Sequence, residues 1–181
     1  MLGGDQQPVD GPRSSPVATW GQIKTLINSY ISTPGAKICT ADIKDFYLKS
    51  KLTDPAYFQI HIDKIPQDII DEFKLRGLVN MKGMLLAKVT GGMYGHPQAG
   101  LFAYKELRAH LALHGFTSQE ATPCVFANAD YSVVFTLVVD DFLIKARSEA
   151  ELKCILDILK LKYEITVDES QQRQFYNGVQ F

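Results

Sequence analysis

The sequence is poor in the residues that build a zinc centre or a disulfide framework. Its 181 residues include three cysteines, Cys39, Cys124 and Cys154, far apart and odd in number. There is no CxxC pair and no Cys/His spacing of the zinc-site kind. Each cysteine sits among apolar neighbours, which reads as a small buried thiol. A reducing, intracellular setting follows, cytoplasmic or nuclear. Net charge is almost absent as well, −1 in total, which argues against a protein coated in positive charge. A local basic groove needs only a few lysines or arginines, so nucleic acid stays open as a partner. No apolar run is long enough to span a membrane, and the longest one carries two aspartates. The start, Met1-Leu2-Gly3-Gly4-Asp5, lacks the basic and apolar segments of a signal peptide. Repeats and low-complexity segments are missing too.

Hydrophobic residues are plentiful, 46% of the chain, enough for the core of one domain. Residues 1–16, rich in Gly, Pro, Gln and Ser, read as an irregular arm, and residues 17–181 as the domain. A helix is expected from Thr19, with Gln22 completing a capping box. Its apolar face would be Trp20, Ile23, Leu26, Ile27, Tyr30 and Ile31. A strand from Ile38 to Ile43 carries Asp42, and a turn follows at Asp45-Phe46-Tyr47-Leu48. Tyr57–Ile62 and Met84–Val89 read as strands. A helix beginning near Pro66 lies between them, anchored by Ile69, Ile70 and Phe73. After the glycine-rich loop Gly91–Gln98, a helix runs from Ala99 to His114 and Gly115 stops it. Pro123–Ala127 reads as a short strand. Ser148 and Glu151 form a second capping box, ahead of Leu152, Ile155, Leu156 and Leu159 at helical spacing. Tyr163–Val167 and Phe175–Phe181 are the last expected strands.

The run from Val133 to Ile144 is the informative stretch. It is β-branched and apolar on both sides of one acidic pair, Asp140-Asp141. Buried, unpaired carboxylates are costly, and adjacent ones repel. A tight hairpin that carries both at its tip resolves the conflict. Such a tip is either a solvated turn or one face of a cation site. Element order favours the second. From Lys37 onward it runs β-α-β-β-α-β, an α+β split ferredoxin-like arrangement with an antiparallel sheet and two helices on one face. The first strand then neighbours the central hairpin. Asp42 would lie beside Asp140 and Asp141, and three carboxylates at one sheet edge suit divalent cations.

With these residues in place, the chain resembles the palm of a reverse transcriptase from a copia-type retrotransposon. Asp42-Ile43-Lys44-Asp45-Phe46-Tyr47-Leu48 is similar to the family's first catalytic motif. Met93-Tyr94-Gly95-His96-Pro97-Gln98-Ala99-Gly100 is similar to its Tyr-Gly loop, and Val138-Val139-Asp140-Asp141 to its Asp-Asp box. Phe175-Tyr176-Asn177-Gly178-Val179 is similar to its primer-gripping segment. The resemblance implies an RNA- or DNA-templated DNA polymerase using Mg2+ (or Mn2+), template-primer nucleic acid and deoxynucleotide triphosphates. It makes Asp42, Asp140 and Asp141 the catalytic metal ligands, with the backbone carbonyl of Ile43 a further ligand. Tyr47 would block a ribose 2′-hydroxyl, and Gln98 would help to hold the nucleotide. The plainer readings are a buried turn tyrosine for Tyr47 and a polar residue starting a helix for Gln98. Tyr176 and Gly178 would grip the primer.

The chain departs from the family pattern in three places. Val138 stands where a tyrosine is usual, and Thr90-Gly91 where basic residues are common. Residues 1–16 contain only Arg13 as a base and do not resemble the family's fingers hairpin; a thumb and ribonuclease H region are not seen either. These 181 residues alone are therefore expected to be inactive, with little or no polymerase activity. The competing expectations are a non-catalytic remnant acting as an interaction module, and another two-metal enzyme such as a nucleotide cyclase.

Overall fold

A computed structural model describes residues 14–93, 96, 98–168, 175, 176 and 178–180. Most of the N-terminal arm, Tyr94, Gly95 and Pro97 of the glycine-rich loop, Asn177 and Phe181 lie outside the described residues.

Helix α1 spans Trp20–Ile31. It starts where expected because Thr19 is extended and its hydroxyl accepts the Gln22 N–H at 3.3 Å. The Gln22 side chain in turn accepts the Thr19 N–H at 2.8 Å. This reciprocal cap satisfies two otherwise orphaned donors. The apolar face is narrower than expected. Ile23 and Leu26 are buried and Ile27 and Tyr30 pack at the margin, but Trp20 and Ile31 are exposed. A helix with one neighbouring surface buries only the stripe that faces it.

Strand β1, Lys37–Ile43, is followed by the expected turn at Asp45–Leu48. Strand β2, Lys51–His61, is longer than expected and pairs with β3, Met84–Gly91, in a separate two-stranded ribbon. Between them, α2, Gln67–Glu72, begins directly after Pro66. Ile70 is its buried anchor, while Ile69 and Phe73 are exposed. Helix α3, Ala99–Leu113, ends before Gly115, whose φ of 81° is the left-handed conformation a helix stop needs.

The second half of the chain forms β4 (Thr117–Ser118), β5 (Val125–Ala127), β6 (Val133–Val138) and β7 (Asp141–Ala146). Helix α4 (Glu149–Lys160), β8 (Ile165–Asp168), β9 (Phe175–Tyr176) and β10 (Val179–Gln180) complete it. In α4, Ser148 caps Glu151, and Leu152, Ile155, Leu156 and Leu159 are all buried as their spacing predicts. The expected single strand at Phe175–Phe181 is instead a small hairpin. Gly178, at φ 80°, turns the chain between β9 and β10.

One antiparallel sheet runs in the order β4-β5-β6-β7-β1-β8. Cross-strand partners share a face, so the register sorts the side chains. One face carries Phe126, Phe135, Phe142, Ile144, Cys39 and Ala41, all buried. Its rings pack closely, Phe126 stacked on Phe135 at 5.2 Å and Phe142 tilted against Phe135 at 5.7 Å. Helix α4 packs against β1, β6 and β7, and α3 against β4; the two helices are tied together where the His110 Nε2 meets the Ile158 carbonyl oxygen at 2.8 Å. The opposite face carries Val134, Lys145 and Leu143, then Thr40, Asp42 and Asp141. Helix α1 covers its β6–β7 end, and Lys145 Nζ donates to Ser29 Oγ at 2.7 Å and Thr33 Oγ1 at 2.9 Å. Among the described residues, the β1–β8 end of that face borders a cleft.

Cys39 and Cys124 are buried as expected, and burial pushes the Cys124 thiol up to about 11. Cys154 is exposed, contrary to expectation. It follows Leu152 by two positions, which on a helix turns it away from the buried stripe.

Candidate metal centre

Asp42 is the next-to-last residue of β1, and the register sets it directly opposite Asp141, the first residue of β7. Like charges in opposed positions destabilise a sheet, so the fold does not favour this pairing for its own sake. Asp140 sits in the two-residue turn between Val138 and Asp141, which pair across it. The first turn residue, Val139, has φ 63°. A β-branched residue in the left-handed region is a strained outlier. The turn is nonetheless tied to β1, because the Ile43 N–H donates to the Asp140 carbonyl oxygen at 3.1 Å.

These constraints gather the three carboxylates. Each offers an oxygen within 4.8 Å of the others; Asp42 and Asp140 are half-buried and Asp141 is exposed. Among the described residues, no Lys, Arg or His forms an ion pair with any of them. Partial burial, then the Asp140 charge, hold the Asp42 carboxyl above its usual range. Burial, then Asp140 and Asp42, do the same to Asp141. The nearest lysines of β1's turn are committed elsewhere: Lys44 Nζ reaches Glu164 at 2.9 Å and Lys49 Nζ at 3.8 Å.

A cleft of about 260 Å³ opens beside Asp42 and Asp141, lined further by Thr40, Thr166, Asp168, Tyr176 and Gly178. Thr40, Thr166 and Asp168 were not singled out from sequence. The signal was available in the alternation of Thr40 with Asp42 and of Thr166 with Asp168, which β1–β8 pairing turns to one face. Tyr176 is buried, and its phenol donates to the main-chain carbonyl oxygen of Asp141 at 3.1 Å. Burial raises the Tyr176 phenol far above its ordinary range, so it remains a donor.

Of the other sequence candidates, Ile43 ends β1 with its side chain in the core. Tyr47 and Gln98 do not line this cleft. Tyr47 lies in the turn after β1, its ring against Phe46 at 5.8 Å between centroids and close to Gly100 of α3. Gln98 is the residue before α3, its N–H donating to His96 Nδ1 at 3.2 Å. Gly92 passes so close to the Tyr47 carbonyl and the Ser50 hydroxyl that no side chain fits there.

All donors at the centre are oxygens, the set that hard divalent cations take. Oxygens up to 4.8 Å apart are spaced for one ion with small side-chain rotations, or for a pair of ions about 3.5–4 Å apart. No protein-family model matches the sequence, and no curated protein matches it. Among solved structures, the chain is similar to the apo telomerase of Candida tropicalis, with 14% identity and a TM-score of 0.49. That match covers 93% of this chain and 36% of the other. It is similar also to the telomerase of Candida albicans in complex with a TWJ fragment of telomeric RNA. There the identity is 14% and the TM-score 0.47, over 93% of this chain and 33% of the other. The chain spans about a third of the length of these telomerase chains. At this identity and overlap, the likeness describes backbone shape and says nothing of chemistry.

Proposed function

We propose that residues 17–181 form the palm of a reverse-transcriptase-like polymerase of copia-type retroelement origin, which joins deoxynucleotides to a primer by two-metal nucleotidyl transfer. The observation that carries the reading is the meeting of Asp42, Asp140 and Asp141, from two distant parts of the chain, at one strained turn. The strand order β6-β7-β1-β8 with α3 and α4 on one face supports the split ferredoxin-like palm. The motif resemblances supply the chemistry.

In this reading Asp42 and Asp140 are the principal ligands, Asp141 is auxiliary, and the Ile43 carbonyl completes the set. Bound magnesium or manganese would supply Lewis-acid activation of the primer hydroxyl and charge neutralisation at the leaving group. The chain's part is to hold the three carboxylates close together, against their mutual repulsion. The Ile43–Asp140 hydrogen bond fixes the turn against β1, so the ligands arrive positioned. Tyr47, packed between Phe46 and Gly100, gives a rigid ring at the position assigned to sugar discrimination. Gln98 ends the loop assigned to the nucleotide, just before α3, and Tyr176 and Gly178, assigned to the primer grip, line the cleft.

The test combines incorporation and linkage. Labelled deoxynucleotide is offered with manganese on a primed RNA template, and manganese affinity is measured with and without the triphosphate. The expected result is that the triphosphate and the metal tighten each other's binding, and that Asp42→Asn and Asp140→Asn abolish both the coupling and any incorporation. Independent binding of metal and triphosphate, with no incorporation, would remove the polymerase reading.

A further inference from the structure

The segment after β8 meets the acidic cluster from a direction that the primer-gripping assignment does not explain. Tyr176 is one of the buried aromatic residues of the core, and its hydroxyl points inward to the Asp141 carbonyl oxygen at 3.1 Å rather than outward to a ligand. Asp141 is where β7 begins, immediately after the turn that contains Val139 in the left-handed region. The other side of the same turn is held by the Ile43 N–H on the Asp140 carbonyl. Two hydrogen bonds, from β1 and from β9, thus hold the backbone of two consecutive ligand residues.

We propose that Tyr176 is a positioning residue for the metal centre: its phenol fixes the Asp141 peptide and, through it, the direction in which the Asp141 carboxylate leaves the strand. The inference rests on the metal-centre reading given above. A strained turn relaxes towards ordinary backbone angles unless its surroundings over-determine it. The direction of a Cα–Cβ bond follows the two peptide planes beside it, and one of those planes at Asp141 carries the carbonyl that Tyr176 holds. Without the phenol hydroxyl, the Asp141 carboxylate samples positions away from Asp42 and Asp140, and the cation loses a ligand part of the time. The ring of Tyr176 fills the core; only its oxygen acts on the site.

The test is manganese affinity, measured by electron paramagnetic resonance on the wild type, Tyr176→Phe, Asp141→Asn and the double variant. Tyr176→Phe keeps the ring, and a melting curve for each variant checks that it folds. A single hydrogen bond lost at the site should weaken manganese binding roughly three- to tenfold. In the Asp141→Asn background the same change should have no further effect, because there is no carboxylate left to position. A purely structural role would lower affinity equally in both backgrounds, and that result overturns the inference, as does an unchanged affinity in Tyr176→Phe. Failure of the wild type to bind manganese removes the metal centre and this inference together. Binding by the wild type that ignores Tyr176→Phe removes the inference alone.

Discussion

Replacing Asp42 with asparagine should make the metal-free protein more stable and blind to manganese. The three carboxylates offer oxygens within 4.8 Å of one another. Two unit charges at that distance repel by about 0.9 kcal/mol in a water-like medium and about 3.5 kcal/mol at an effective dielectric of 20. Asp42 is half-buried and Asp141 exposed, which places each pair near the lower figure. With two acidic neighbours, loss of the Asp42 charge is worth about 1–2 kcal/mol, and the melting temperature should rise by roughly 2–8 °C for a domain of this size. Manganese at ten times its dissociation constant should stabilise the wild type by about 1.4 kcal/mol through mass action, and the variant not at all. The assay is a thermal melt of both proteins with and without metal. The pH dependence has a definite sign. Asp42 and Asp141 are held above the ordinary value of 3.8 in the fold. Their contribution is therefore most favourable below that value and is lost as the pH rises through the folded-state values. The advantage of Asp42→Asn should vanish in acid and grow towards neutrality. A variant less stable than the wild type at neutral pH without metal, or one with an equal manganese response, would refute the reasoning.

Three further outcomes follow from particular contacts. Gly92→Ala sets a methyl group against the Tyr47 carbonyl and the Ser50 hydroxyl; a backbone shift costing at least about 2 kcal/mol is expected, visible as a markedly lower denaturant midpoint. Val139→Asn places a residue tolerant of positive φ where the structure has 63°. It should be neutral or stabilising by up to about 1 kcal/mol in urea unfolding, although the same change at an ordinary strand position would cost stability. Ser148→Ala removes the cap of α4, and calorimetry should show a loss of about 1 kcal/mol, or roughly 2–4 °C.

Much of the site could be read in the sequence because its conflicts are local. An acidic pair inside a β-branched run has few solutions other than a hairpin tip, and the order of strands and helices sets Asp42 next to it. The α1 capping box and the Ser148 cap of α4 were legible for the same reason, since each partner lies three residues from the other; the Glu151 side chain, however, meets the Ser148 hydroxyl and not its backbone N–H. Long-range choices were less so. Nothing near Trp20 or Ile31 says that α1 meets the sheet along only Ile23 and Leu26. The two-residue strand β4 has too little sequence to carry a pattern. The division of Phe175–Phe181 into a hairpin was signalled by Asn177-Gly178, a strong turn pair, but the flanking aromatic and apolar residues read as one strand. That Tyr176 would reach Asp141, and that Val139 would take a left-handed conformation, depends on tertiary packing that no local pattern encodes.

The central place of β1 in the sheet has a consequence for synthesis. Its two neighbours, β7 and β8, come from the far end of the domain, and its own sequence neighbours β2 and β3 form a separate ribbon. On the ribosome, about 120 residues must emerge after Ile43 before β8 is available, which takes roughly 6–25 s at about 5–20 residues per second. Until β7 emerges, about 100 residues after Ile43, the residues Ile38, Cys39, Ala41 and Ile43, all buried in the finished fold, form an unpaired apolar segment open to aggregation or to a chaperone, and one edge of β1 then still waits for β8. The nascent chain must shelter this strand until the rest of its sheet has been made.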